Sequence, residues 1–224
     1  MKEIFNLEKL FSLFDYVFWF FLLNLFFMLL NLPLILFMLS IGINNISTYF
    51  PLFLLCLVPF VPSLTVLIYC MGKLIRDKDL NLFRDFFHGL KINFKQSILL
   101  WCGELITILI LYSNIRFFSN FKNGIILNCI FVALLLGLFF ITPYIYILVS
   151  RFSMKSFDII KSSLILAFTR PLLTLTNTLI IIIPLILFQI SPGTTILFIS
   201  SVLAFLLSFS NKSLLEELEL SIEN

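Results

Sequence analysis

From Tyr16 to Ile43 the chain carries no charged side chain, and only Asn24, Asn31 and Pro33 interrupt its apolar run. About 20 apolar residues in a helix cross the hydrocarbon core of a bilayer. A helix also satisfies its own backbone there, and the alternating pattern of strands is absent. The run is too long for a signal-peptide core and has no small-residue cleavage site, so it reads as a retained span. Five more runs follow, at 50–71 (with Pro51, Pro59 and Pro62), 98–112, 125–150, 172–190 and 195–210. The run 98–112 spans only if it takes in neighbouring residues. Of the 224 residues 61% are hydrophobic and 12% charged, against roughly a quarter charged in a soluble domain. That excludes a soluble enzyme, and no polar stretch is long enough for a folded ectodomain. The expected fold is all-α: one polytopic membrane domain over 1–224, a bundle of six transmembrane helices.

Positive charge sets the orientation. Thirteen of the fifteen Lys and Arg fall in the N-terminal segment, the connections 72–97 and 151–171, and the tail, leaving only Arg116 and Lys122 on the other side. Both termini are therefore expected in the cytoplasm. The outer connections 44–49 and 191–194 are short; the second, Ser191-Pro192-Gly193-Thr194, is a tight turn that makes a hairpin of spans five and six. An extracellular binding function is not expected, and attention moves to the inner face.

Residues 80–95 are helical in pattern. At about 100° per residue Leu80, Phe83, Phe86, Phe87, Leu90 and Phe94 share a face, Arg84, His88, Lys91 and Lys95 its flank, and Asp79 is a candidate N-cap. Such a helix suits the membrane interface. It reads either as a docking helix for a partner protein or as one that seals the bundle and touches headgroups. Ile4, Leu7, Phe11 and Phe14 suggest a second interfacial helix at the N-terminus. The acidic tail 211–224 has a capping-box pattern, Ser213 to Glu216, before an apolar stripe of Leu214, Leu215, Leu218 and Ile222. It reads as a solvated end to span six, or as an acidic helix folding against 84–95 or a partner. Lys95-Gln96-Ser97 and Lys161-Ser162-Ser163 are alike in register, either as a duplicated span–helix–span unit or by chance.

Catalytic signals are missing. His88 is the single histidine, there is no HExxH, paired intramembrane aspartate or GxxxxGK[ST] loop, and neither catalytic activity, cofactor nor metal is expected. Cys56, Cys70, Cys102 and Cys129 lie in or beside apolar runs without CxxC spacing and read as small core residues. Glu104 is the one acid inside a span, about 9 Å from its inner boundary. It reads as a structural hydrogen-bonded acid, with Arg170 able to approach from the inner edge, or as a proton or cation relay on a polar path with Asn24, Asn128, Thr174 and Asn177.

Three groups of residues carry a family resemblance: Asn24-Leu25-Phe26 with Asn31-Leu32-Pro33, then Pro62-Ser63-Leu64-Thr65, and above all Lys73, Arg76, Arg84-Asp85-Phe86-Phe87 and Lys91-Ile92-Asn93-Phe94-Lys95. Together they resemble the YesL-like family of bacterial membrane proteins of unknown function, across about 15–100. The chain departs from the family in having little Gly and Trp around spans one and two, and no permease EAA loop is recognisable. The family's frequent place beside carbohydrate ABC importer components implies an accessory role in sugar uptake in a bacterial cytoplasmic membrane. The partners implied are the bilayer and importer permease or ATPase subunits, with no nucleic acid. The alternative is a small stand-alone transporter or channel with Glu104 in its path.

Overall fold

A computed structural model describes residues 7–119, 121, 124–190 and 197–223, the side chains of 7–13, 185, 188–189 and 222–223 apart. The described residues form helices α1 (Leu7–Leu30), α2 (Leu32–Ile41), α3 (Phe50–Cys56), α4 (Phe60–Asp77), α5 (Leu82–Phe118), α6 (Ile125–Arg151), α7 (Ser156–Thr169), α8 (Pro171–Ile190), α9 (Ile199–Ser210) and α10 (Lys212–Glu223), and no strand. Three helical stretches are long and apolar enough to cross a membrane: Phe50–Asp77, Leu82–Phe118 and Ile125–Arg151. Counting each bent pair, α1 with α2 and α7 with α8, as one span raises the number to five. The expected sixth span, 195–210, begins outside the described residues, and its described part is the twelve-residue α9, only about 18 Å long.

The breaks follow from local chemistry. α1 and α2 meet at 69° around Asn31. Pro33 has no N–H to continue the ladder, and the Asn31 side chain ties the bend together, donating to the Phe27 carbonyl at 2.8 Å and to Ser63 Oγ at 2.7 Å. Between α3 and α4 the chain turns at Pro59, and Trp101 Nε1 donates to the Leu57 carbonyl there at 2.8 Å. α7 and α8 meet at 103°. Arg170 precedes Pro171, which disfavours a helical Arg170; its φ of −119° and ψ of 63° end α7, and Pro171 opens α8. The N-terminal interfacial helix expected from Ile4 to Phe14 is not separate where described: α1 runs unbroken from Leu7 into the first apolar run as far as Leu30, and Ile4 lies outside the described residues.

The largest departure is α5. The expected interfacial helix 80–95 and third span 98–112 are one uninterrupted helix of 37 residues, about 55 Å long. Lys95 to Ser97 change the polarity of the sequence, but nothing between Gly89 and Gly103 breaks a helix. Asp79 does not cap it, since its Oδ1 accepts only from the Leu80 amide, while Asp85 Oδ2 accepts from the Asn81 amide at 3.0 Å. The helix starts at 82 and 156 are 74 residues apart, whereas Lys95 and Lys161 are 66 apart, so the two similar segments sit at different places in their helices.

α4 is the centre of the bundle, packed against α1, α5, α6 and α9. Val66, Leu67, Ile68, Cys70, Met71 and Leu74 are buried on it, facing Leu23, Phe86, Tyr144 to Val149 and Leu207. At Gly89 the α5 backbone comes so close to α4 that an added Cβ would lie 2.6 Å from the Tyr69 ring.

Candidate interaction surface and buried polar clusters

Charged groups from distant parts of the sequence collect at one end of the bundle. Lys73 Nζ lies 2.7 Å from Asp85 Oδ1, joining α4 to the start of α5, and Asp85 is only 5% exposed. Arg151, the last residue of α6, forks onto Glu219 of α10 through Nε and, at 2.8 Å, Nη2. Arg170, at the α7–α8 bend, donates through Nη2 to both oxygens of Glu217, at 2.5 and 2.7 Å. Burial raises the Glu219 pKa somewhat, but the Arg151 guanidinium outweighs it and holds the carboxyl below its ordinary value. At the other end, Ser47 and Tyr112 hydroxyls are 3.0 Å apart and Arg116 lies over the Tyr112 ring.

The acidic tail therefore binds Arg151 and Arg170, not the 84–95 flank. Ser213 is not its cap: α10 starts one residue earlier, after Asn211. Leu214 is buried with the core, and Leu215 and Leu218 pack against it.

Arg84, His88, Lys91 and Lys95 are all exposed and fall on one row of α5, at steps of four, three and four residues. The row climbs about 16 Å along the helix axis. Among the described residues none of the four belongs to an ion pair; the His88 ring neighbours Tyr69. The expected aromatic face is divided. Phe86 is buried and Leu90 half-buried, whereas Phe83 and Phe87 remain 63% and 58% exposed although their rings touch Phe26 of α1. Asp85, Gly89, Asn93 and Ser97 share the buried face with Phe86. A buried acid on that face was hidden by the aromatic pattern around it.

Glu104 is buried between α5 and α6. Tyr146 donates its hydroxyl to Oε1 at 2.8 Å and Thr142 donates to Oε2 at 2.9 Å. Arg170 does not reach it, being engaged by Glu217. The remaining intramembrane polar residues stand elsewhere. Asn24 Oδ1 accepts from the Ser200 amide at 3.2 Å. Asn177 and Asn211 exchange side-chain bonds at 3.3 and 2.7 Å, and Thr174 lies 3.0 Å from the Tyr144 hydroxyl. Asn128 is half-buried near the start of α6. Tyr144 and Tyr146 are about 200° apart around α6. The Glu104 cluster and the Thr174 contact therefore lie on opposite faces of that helix, and the expected polar path is not assembled in one place.

Residues 20–115 match the model of an uncharacterised family, described as a protein of unknown function, DUF624. The match runs from α1 into α5 and takes in Asn24, Asn31, the Lys73–Asp85 pair, the basic row and Glu104. Tyr146, Arg151 and α10 lie beyond it. No curated protein and no solved structure matches the chain.

Proposed function

We propose that this chain is a non-catalytic accessory protein of carbohydrate ABC-type uptake, held in a bacterial cytoplasmic membrane with both termini inside. The observation that carries the reading is the row Arg84, His88, Lys91 and Lys95, exposed and, among the described residues, without acidic partners, on a helix longer than a bilayer is thick. The four side chains stand exposed on one row of α5, open to a protein at the membrane, and an importer permease or ATPase with an acidic, apolar surface fits it. The uptake context rests on the YesL-like resemblance. Six crossings follow in this reading if α1–α2, α3–α4, α5, α6, α8 and the segment ending in α9 each cross once.

The alternative of a stand-alone transporter through Glu104 has less support, because both carboxylate oxygens are taken by hydroxyl groups of the neighbouring helix. The test is capture of the tagged chain from its native host in mild detergent. Importer subunits in near-stoichiometric yield support the accessory reading; a chain recovered alone, together with ion or sugar flux in vesicles, favours the transporter.

A further inference from the structure

The end of α4 turns a guanidinium toward a cleft that already holds another. Arg76 folds back over its own helix: Nη1 lies 3.5 Å from where a Cβ on Gly72 would stand. Arg76 and Arg151 line the same two adjoining small cavities, between α4, α6, α9 and α10. The floor is apolar, from Ile68 and Leu215. Arg151 is satisfied by Glu219, but among the described residues Arg76 has no carboxylate within ion-pair distance. Lys212 and Glu216 form the remaining rim and face each other at 3.8 Å. Three cations and one acid thus line the cleft, and Glu219 bonds Arg151 at its edge. Of the two guanidinium groups only that of Arg151 is bonded to a carboxylate, and a guanidinium is well matched to a phosphate group.

We propose that the Arg76–Arg151 cleft is a phosphate-group site in which Glu219 is a tethered occupant that the ligand displaces. A phosphate group, with two or three free oxygens, can engage both arginines, where the Glu219 carboxylate bonds Arg151 alone. Its arrival removes one of the two ion pairs among the described residues, Arg151–Glu219 and Arg170–Glu217, that tie α10 to the rest of the bundle. The second clamp, Arg170–Glu217, is solvent-exposed on both sides and contributes little alone. The phosphate comes either from an anionic lipid headgroup, which the apolar floor and the charged end of the bundle both suit, or from a soluble phosphate compound.

The experiment is hydrogen–deuterium exchange of residues 212–223 in the full-length protein, reconstituted in phosphatidylcholine discs. Inorganic phosphate is added in one arm, phosphatidylglycerol is included in the disc in another, and sodium chloride at matched ionic strength is the control. Faster exchange of 212–223 with phosphatidylglycerol alone assigns the site to lipid; a response to phosphate assigns it to a soluble ligand. Either supports the proposal provided that Arg76→Gln abolishes the response while exchange in α4 and α6 stays slow. Glu219→Gln, with the occupant's charge removed, is expected to bind the effective probe roughly tenfold more tightly, the scale of one charge-assisted bond. An equal response to chloride, a full response in Arg76→Gln, or no binding of either probe to Glu219→Gln overturns it.

Discussion

Tyr146 donates its hydroxyl to Glu104 across the α5–α6 contact at 2.8 Å, and Thr142, one helical turn away, takes the other carboxylate oxygen. The one acid inside a span is thereby a crosslink between two helices. Replacing Tyr146 by Phe leaves Glu104 Oε1 without its donor, at a cost of about 1–3 kcal/mol. The thermal midpoint in detergent should fall accordingly. A mild loss without any change of transport-type activity is the expected pattern; an unchanged midpoint would mean that the crosslink does not hold the helices.

Gly89 allows the close approach of α5 to Tyr69. Gly89→Ala puts a methyl group into the space of that ring, and overpacking of this kind costs about 1–3 kcal/mol. Combining it with Tyr69→Leu should recover much of the loss, which denaturation of the single and double variants measures. Equal losses with and without Tyr69→Leu would place the strain elsewhere.

Lys73 and Asp85 are unequally buried, with side-chain exposures of 27% and 7%. Removing the cation leaves a buried carboxylate with only the Asn81 amide. Lys73→Met should therefore destabilise the α4–α5 turn by up to about 3 kcal/mol, and the double variant Lys73→Met/Asp85→Leu by less. A double-mutant cycle in a solubilised sample checks the sign.

The Arg151–Glu219 contact makes attachment of α10 depend on pH. The Glu219 carboxyl, held below its ordinary value by the Arg151 guanidinium, contributes fully above the value of a free glutamate, roughly 4.3. That contribution is lost as pH falls through the lower value in the folded protein. Exchange of 212–223 should accelerate in that acidic window in the wild type and be less pH-sensitive in Glu219→Gln. Identical acid profiles would show that Glu219 does not hold the helix.

The all-helical architecture and apolar spans were legible because lipid demands long charge-free runs and leaves the backbone one local solution. Asn31 and Pro33 were visible as interruptions, but not as the 69° bend they produce. The expected boundary near Lys95 was one of polarity; helix continuity depends on backbone breakers, and none stands there. The basic row was legible because its spacing is local to one helix. Glu104 was legible as an oddity, its partners were not, since Thr142 and Tyr146 are 38 and 42 residues away. The same holds for the tail, whose acids could be seen while Arg151, 68 residues from Glu219, could not be chosen over the more conspicuous basic flank at 84–95.

The most direct test of the accessory role is a quantitative pull-down comparing the wild type with Arg84→Glu/Lys91→Glu/Lys95→Glu, the three exposed sites being free to change without disturbing the core. The account predicts importer subunits with the wild type, their loss from the variant, and an unchanged thermal midpoint for the variant itself. The same partners captured by a folded variant in the same yield would contradict it.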